Sequence, residues 1–207
     1  DLADLEMIYS FKSFFEKCIG SKNFECRQDR IYINPRERMN YIFNSFINGI
    51  EDSDLILLVG TNPRLEATIL NARIRKAYIK NRIKIYSIGD PGDLTYPYQN
   101  IGSSTSIIKE IVSGLHEISG KIKRSKKPLI IIGESALYGK AGEYVFETLK
   151  SYLSTNNFIR EDWNALNILT QQASRVGSID LGIYSISEND NYSFFNKLEN
   201  NDFKFMY

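Results

Sequence analysis

The sequence predicts an open α/β domain, with a mainly parallel sheet that carries helices on both faces. Short apolar runs, typical of strands buried on both faces, alternate with longer segments of helical periodicity. Two of the most apolar runs are residues 54–60, DLILLVG, and residues 128–133, PLIIIG, and each ends in glycine. Strands that alternate with helices of about 10 to 16 residues imply right-handed crossovers and hence a parallel sheet.

Each further element follows from a local pattern. Apolar residues recur at helical spacing from Leu2 to Ile19, and Gly20 is a stop signal. The strands at 54–60 and 83–89 flank a helix over 65–80, whose inner face we expect to be Leu65, Ile69, Leu70, Ile74, Ala77 and Tyr78. The remaining elements are a helix over 106–113, a strand over 128–133, a helix over 141–153, a strand over 165–169 and a short helix or turn over 173–180.

The C-terminal segment differs from the rest of the chain. We expect residues 1–186 to form the α/β region and residues 187–207 to be a polar tail that leads into a truncated strand. Within the tail, residues 187–202 are polar and are predicted to be loop. The alternating run at 203–207 and the start at Asp1 without Met suggest a piece cut from a longer protein.

Composition excludes several classes of function. Lys plus Arg is 26 and Asp plus Glu is 25, so the net charge of +1 argues against a dedicated nucleic-acid binder. The two cysteines, Cys18 and Cys26, and the single His116 are too few for an iron–sulfur cluster, which needs about four ligands. We expect Cys18 to be buried in the first helix and His116 to be a surface or capping residue. No apolar stretch approaches the roughly 20 residues of a membrane span.

One corner carries the candidate binding residues, because ligands of open α/β sheets bind beyond the carboxyl ends of the strands. After the strand at 54–60 come Gly60, Thr61, Asn62, Pro63 and Arg64, where backbone N–H groups and a guanidinium would suit a phosphate.

Two further strand ends are of interest. Asp90 follows the strand at 83–89 and is placed like a ribose-binding carboxylate, and residues 133–136 follow the strand at 128–133. None of these corners is Gly-x-Gly-x-x-Gly or a P-loop. A purely structural role is the alternative, with Asn62 and Asp90 capping backbone groups and Pro63 starting a helix.

Basic residues form two clusters, at 73–84 and 121–127. They are either solvated charge on outer helix faces or a docking surface for an acidic partner subunit.

A long stretch of the chain resembles the large iron–sulfur subunits of respiratory complex I. The resemblance is carried by residues 56–67, ILLVGTNPRLEA, and 70–76, LNARIRK. Further matches follow the same order along almost the whole chain, at 40–44, 49–51, 93–98, 163–169 and 173–177.

The resemblance also extends to molybdopterin oxidoreductases such as formate dehydrogenase, which are similar to the C-terminal part of that subunit. In the catalytic relatives, a Gly-x-Asn-Pro corner and an Asp-Pro-Arg turn help to hold a pterin guanine dinucleotide. Residues 60–63 match the corner and Asp90 and Pro91 match the turn, but Gly92 replaces its arginine, which weakens a phosphate site.

The relatives' metal ligand also has no counterpart in this sequence. They carry a cysteine or selenocysteine where residues 28–31 are Gln, Asp, Arg and Ile, and Cys26 falls too early. The resemblance therefore implies no catalytic residues, no metal ligands and a cofactor site that is vestigial at most, formed by Gly60, Thr61, Asn62, Pro63, Arg64 and Asp90.

As a whole, the resemblance implies a subunit that carries electrons from NADH toward quinone. Its iron–sulfur clusters belong to other parts of the full-length chain, and this part is expected to be a non-catalytic scaffold in contact with other peripheral-arm subunits. It implies a peripheral position, on the cytoplasmic face of a bacterial inner membrane or the mitochondrial matrix side, with no membrane insertion and no nucleic acid.

Two alternatives remain open at this point. One alternative is a fragment of an active molybdopterin-dependent oxidoreductase, with Asp29 as the nearby candidate ligand. The other is a Rossmann-like nucleotide binder unrelated to respiration.

Overall fold

The computed structural model describes residues 3–27, 30–184, 193–200, 202–203 and 205. The chain divides into two compact units, one formed by residues 33–171 and the other by 1–32 together with 172–207. We call them the sheet unit and the terminal unit. The predicted boundary between 186 and 187 lies outside the described residues and stays a prediction.

The sheet unit contains a five-stranded parallel sheet, which confirms the predicted fold class. The strands are β1 (Leu55–Val59), β2 (Lys84–Ile88), β3 (Gln99–Asn100), β4 (Pro128–Gly133) and β5 (Leu166–Leu169). Their order is β3-β2-β1-β4-β5, so the two apolar strands predicted first lie side by side in the centre. Every residue of β1 and of β4 is buried, as continuous apolar runs predict for strands covered on both faces.

The α-helices of the described residues are numbered in chain order. They are α1 (Leu5–Phe14), α2 (Phe46–Gly49), α3 (Pro63–Glu66), α4 (Thr68–Asn81), α5 (Ser106–Ser113), α6 (Glu117–Arg124), α7 (Gly139–Thr155), α8 (Arg175–Asp180) and α9 (Ser193–Glu199). Single turns of 3-10 helix lie at Arg38–Asn40, Ile50–Asp52 and Glu134–Leu137. Within the part of the chain that the structure describes, no helix combines the length and the apolar character needed to cross a bilayer.

The predicted helix over 65–80 is wrong in its inner face. The backbone leaves the helical region at Ala67, with φ −153° and ψ 74°, and so separates α3 from α4. Leu65 precedes the break and Ile69 follows it, and their side chains are 79% and 73% exposed. The buried residues of α4 are Leu70, Asn71, Ile74 and Ala77.

In the sheet unit, the sequence did not predict α6 or β3. In α6, Ile118 and Ile122 are buried four residues apart, but Gly120 and the flanking lysines obscure this spacing. His116 begins the helix, and its Nδ1 accepts a hydrogen bond from the N–H of Ile118 at 3.3 Å, which confirms the capping role. The short β3 consists of two exposed polar residues and pairs with β2 at the edge of the sheet.

The terminal unit brings together two distant parts of the chain. Ser174 Oγ donates to the carbonyl of Ala3 at 2.6 Å, and Lys12 Nζ donates to the carbonyl of Leu181 at 2.6 Å. A cavity of about 420 Å³ in this unit is lined mainly by apolar side chains, among them Met7, Phe11, Phe15, Phe24, Phe194 and Phe203.

Two expectations for this unit are wrong. Cys18 is exposed, because α1 continues as a π-helical turn over Phe15–Ile19 and the wider turn shifts the helical spacing. The helix α9 lies where a loop was predicted for residues 187–202, although 187–192 and 201 lie outside the described residues. Phe194 and Leu198, four residues apart, are the helical signal in an otherwise polar segment.

Candidate functional site

The candidate site is the crevice at the carboxyl ends of β1 and β2, next to the point where the strand order reverses. The chain leaves β1 toward β2 on one side, and β4 lies on the other side of β1, so the reversal falls between β1 and β4. A cavity of about 210 Å³ lies there, lined by Gly60, Thr61, Asn62, Glu66, Gly89, Asp90, Pro91 and Ser135. The fold therefore brings together Gly60, Thr61, Asn62 and Asp90, as their positions after neighbouring strands predict.

Asn62 organises the corner after β1. Its Oδ1 accepts a hydrogen bond from the N–H of Leu65 at 3.2 Å, and its Nδ2 donates to the carbonyl of Pro91 at 2.7 Å. Pro63 occupies the first position of α3, where its fixed φ favours the helix. Asn62 thus caps α3 and ties the corner to the turn after β2.

Glu66 is the residue of the site that sequence reasoning missed. Its Oε1 accepts a hydrogen bond from the N–H of Asn62 at 2.8 Å, and its Oε2 accepts one from Thr61 Oγ1 at 2.7 Å. The spacing Asn-x-x-x-Glu at the start of a helix resembles a capping box and is the signal that could have identified it. A carboxylate of the chain itself therefore lies on donors that the sequence offered to a phosphate.

Arg64 does not line the cavity. Its Nη1 lies 2.5 Å from Asp93 Oδ2 and also donates to the carbonyl of Asp93 at 3.0 Å. The N–H of Thr95 and then the guanidinium of Arg64 lower the pKa of Asp93 below its usual range. The positive charge of Arg64 is thus matched by a carboxylate outside the cavity.

Asp90 also serves the backbone. Its Oδ1 accepts a hydrogen bond from the N–H of Gly92 at 2.9 Å, and the hydroxyl of Tyr98 lies 3.2 Å from the same oxygen. Desolvation, and secondarily the hydrogen bond to this carboxylate, raises the pKa of the Tyr98 hydroxyl. The capping role proposed for Asn62 and Asp90 from the sequence is therefore present at both residues.

The other wall of the crevice is closed by backbone contact between β1 and the end of β4. A Cβ atom on Gly133 would lie 2.4 Å from the carbonyl oxygen of Gly60, and one on Gly60 would lie 2.7 Å from Cβ of Ala136. Ser135 Oγ donates to the same carbonyl of Gly60 at 2.5 Å. Glycine is required at both positions, since any side chain would push the two segments apart.

With this fold and corner in place, comparison with known proteins defines the class. A sequence profile described as molybdopterin oxidoreductase matches residues 1–207, and the chain belongs to that family.

Relatives at the level of individual proteins are subunits of one kind of enzyme. The chain is 41% identical over 197 residues to the NADH-ubiquinone oxidoreductase 75 kDa subunit of Reclinomonas americana, which covers 89% of this chain and 28% of that protein. It is 38% identical over 190 residues to the NADH-ubiquinone oxidoreductase 78 kDa subunit, mitochondrial, of Candida albicans, covering 90% of this chain and 26% of that protein. It is 35% identical over 187 residues to NADH dehydrogenase (ubiquinone) iron-sulfur protein 1, mitochondrial, of Solanum tuberosum. That match covers 90% of this chain and 25% of that protein. The chain thus spans about a quarter of the length of the curated relatives it matches, and the resemblance stated from the sequence is confirmed.

The family implies a pterin dinucleotide, and the corner does not fit one. The N–H of Asn62 and the hydroxyl of Thr61 are bonded to Glu66, whose negative charge would repel a phosphate. Arg64 pairs with Asp93, and Gly92 stands where the relatives' arginine would add a second guanidinium.

The terminal unit contains the one cysteine near the expected ligand position. Burial, and secondarily the neighbouring Glu25 carboxylate, raises the pKa of the Cys26 thiol to about 11, so this group is protonated at neutral pH. Gln28 and Asp29 lie outside the described residues. Among the residues that the structure describes, no group of three or more His, Cys, Asp and Glu side chains is placed to hold a metal ion.

Proposed function

We propose that this chain is the molybdopterin oxidoreductase-like part of the large iron–sulfur subunit of a NADH:quinone oxidoreductase. In this proposal the region is a scaffold that has lost the pterin cofactor, and it is not catalytic alone. The similarity to such subunits over about 90% of the chain supports the identity of the complex.

The observation that carries the loss of the cofactor is the position of the Glu66 carboxylate. It accepts hydrogen bonds from Thr61 and Asn62, two members of the corner that resembles the relatives' cofactor-binding corner. A phosphate at the same place would have to displace a carboxylate of like charge and leave it without these donors. The remaining members, Gly60, Pro63, Arg64 and Asp90, are by this proposal vestiges of the site.

For the whole protein, the proposal is a subunit that passes electrons from NADH toward quinone. The relative in Solanum tuberosum is named as an iron-sulfur protein, and we propose that the full-length protein binds such clusters outside residues 1–207. We propose that it contacts other peripheral-arm subunits, at the cytoplasmic face of a bacterial inner membrane or the mitochondrial matrix side.

Cofactor analysis tests the scaffold role. The chain is expressed in a host that makes molybdopterin guanine dinucleotide, and molybdenum, iron and released guanine nucleotide are measured after purification and denaturation. We expect none at stoichiometric level, while a catalytic molybdopterin oxidoreductase prepared in parallel yields molybdenum and nucleotide. Molybdenum together with guanine nucleotide at one per chain would overturn the scaffold role and favour an active oxidoreductase.

Assembly in the source organism tests the identity of the complex. The full-length protein is tagged at its own gene, and membranes are resolved on a native gel stained for NADH dehydrogenase activity. We expect the tag to migrate with that activity and to lose this position when residues 33–171 are deleted. A tagged protein that migrates apart from all NADH dehydrogenase activity would contradict the proposal.

A further inference from the structure

We propose that the sheet carries a docking groove for an extended acidic segment of a partner protein. The groove lies at the amino ends of the strands, which we call the amino edge. The groove has a volume of about 530 Å³ and lies at the strand ends opposite the Glu66 corner. We call it the basic groove, and it is lined by Asp54, Leu55, Lys84, Tyr86, Gln99, Lys121, Arg124 and Ser125.

Strand register places its cations together. Leu55, the first residue of β1, pairs with Lys84 on one side and with Pro128 on the other. The helix α6 ends at Arg124, shortly before β4 begins at Pro128. Lys84 and Arg124 therefore meet at one edge, although they are far apart in the sequence.

Among the described residues, Asp54 is the carboxylate that lines the groove, and it holds the groove's wall. Asp54 accepts hydrogen bonds from Ser125 Oγ, from the N–H of Lys126 at 2.7 Å and from the N–H of Lys127 at 3.2 Å. Because its oxygens are occupied by these donors, Asp54 fixes the turn between α6 and β4. Its negative charge remains, but among the described residues it forms no ion pair with a cation of the groove.

Two cations in the groove are held by neighbouring groups. Lys121 Nζ lies 5.3 Å from the centre of the Tyr86 ring and 3.1 Å from Glu117 Oε1. Arg124 Nε donates to the carbonyl of Gly120 at 3.0 Å, which orients the guanidinium. Groups that are oriented before binding lose less conformational freedom when an anionic partner binds.

The positive charge at this edge is in excess. In the part of the chain that the structure describes, Lys84, Lys123 and Lys126 have exposed side chains and form no ion pair. The carboxylates that do pair at this edge, Asp52 with Lys127 and Glu117 with Lys121, are 66% and 65% exposed. Such exposed pairs contribute little energy, so an acidic segment of a partner can replace them.

The lining favours an acidic protein segment over RNA. Of the described residues that line the groove, Tyr86 is the aromatic one. Its side chain is buried and covered by Lys121, so it offers no free face for a base. The net charge of +1 also argues against a dedicated nucleic-acid binder. This inference does not depend on the loss of the pterin cofactor.

The test measures binding of a defined acidic peptide to the whole 207-residue chain. The probe is a fluorescein-labelled peptide of ten glutamates, and a peptide of ten glutamines is the uncharged control. One variant combines Lys84→Glu and Arg124→Glu. A matched variant combines Lys109→Glu and Lys140→Glu, which change the net charge equally at exposed positions on α5 and α7.

We expect the glutamate peptide to bind and the glutamine peptide not to bind, as measured by fluorescence anisotropy. The groove variant should weaken binding by about tenfold or more, because two attractive contacts become repulsive, whereas the matched variant should change it by less than about twofold. Circular dichroism melting confirms that each variant is folded, and Lys84→Gln with Arg124→Gln replaces the groove variant if it is not.

Three results would overturn the proposal. One is the absence of glutamate peptide binding, and another is an equal loss of binding in the groove and matched variants. The third is tighter binding of a ten-nucleotide uridine RNA that is lost in the groove variant, which would make the groove a nucleic-acid surface.

Discussion

Polar side chains at the carboxyl ends of the strands, which we call the carboxyl edge, have a different role from those at the amino edge. At the carboxyl edge, Glu66 accepts hydrogen bonds from Thr61 and Asn62, and Ser135 donates to the carbonyl of Gly60, just after β1. At the amino edge, Asp54 lines the basic groove and holds a turn, whereas Lys84, Lys123 and Lys126 are exposed and form no ion pair with a described residue.

This difference teaches that the usual ligand edge of an open α/β sheet can be closed by its own side chains. The carboxyl edge still carries polar groups, but these form hydrogen bonds to one another. The number of polar groups at this edge therefore does not by itself indicate a ligand-binding site. At the amino edge, Lys84, Lys123 and Lys126 form no ion pair with any described residue. The following predictions test that contrast, beginning with the largest expected effect.

Gly133→Ala should be the most damaging change at the carboxyl edge. The new Cβ would lie 2.4 Å from the carbonyl oxygen of Gly60, and backbone cannot rotate away as a side chain can. We expect a loss of about 3 kcal/mol in the free energy of unfolding, measured by urea denaturation.

Gly120→Ala is the matched change near the amino edge. Gly120 lies inside α6, and the nearest atom to an added Cβ is Arg124 Nη2 at 3.9 Å. Alanine should stabilise the protein by about 0.5 to 1 kcal/mol through its helix propensity. Equal effects of the two substitutions would remove the contrast in packing between the edges.

Glu66→Ala should have the next largest effect on stability. It removes two hydrogen bonds to a carboxylate and leaves the N–H of Asn62 and the hydroxyl of Thr61 without it. We expect a loss of about 2 kcal/mol in thermal or urea unfolding. Glu143→Ala, at an exposed glutamate of α7, should have little effect, and an equally small effect of Glu66→Ala would show that the corner does not depend on this carboxylate.

Asp54→Ala should destabilise the amino edge by about 1 kcal/mol, because the turn between α6 and β4 loses the acceptor for two backbone N–H groups. Asp52→Ala removes only an exposed ion pair of 3.7 Å to Lys127 and should change stability by less than about 0.5 kcal/mol. Urea denaturation of both variants distinguishes the two roles. The assignment of Asp54 fails if Asp52→Ala proves the more harmful.

Glu51→Gln should have the smallest effect, and that effect should depend on pH. Hydrogen bonds from Lys76 and then Arg73 lower the pKa of Glu51, so its carboxylate stabilises the fold above the unfolded pKa of about 4.3. This contribution is lost as the pH falls through the lower folded pKa. Wild type should therefore be more stable than Glu51→Gln at pH 7, and the difference should disappear near pH 2. A difference that grows in acid would contradict the assignment.

Sequence reasoning predicted the centre of the sheet because β1 and β4 are apolar at every position and end in glycine. It also placed Asn62 and Asp90 beyond the carboxyl ends of two strands, and the strand order then brings those two ends together. It missed Glu66 as a binding partner, because a glutamate in the first turn of a helix is usually solvated. Only the backbone path from Thr61 to Asn62 brings the donors within reach of its side chain.

Other errors have local causes. The break at Ala67 interrupts a run that reads as one helix, so Leu65 does not share the inner face of α4, while Ile69 is in α4 but lies outside its buried face. The strand β3 is too short and polar to be detected, since its pairing depends on β2. The π-helical turn at Phe15–Ile19 moved Cys18 out of the register that a regular helix would give it.

The division of the chain into two units also sets an order of events during synthesis. Residues 33–171 form a continuous unit, whereas the terminal unit joins residues on both sides of it. As a ribosome releases the chain from its N-terminus, the sheet unit has all of its residues before residue 172 emerges. α1 must wait for the segment that holds Ser174 and Leu181, so the hydrogen bonds of Ala3 and Lys12 to that segment form only after the sheet unit is complete.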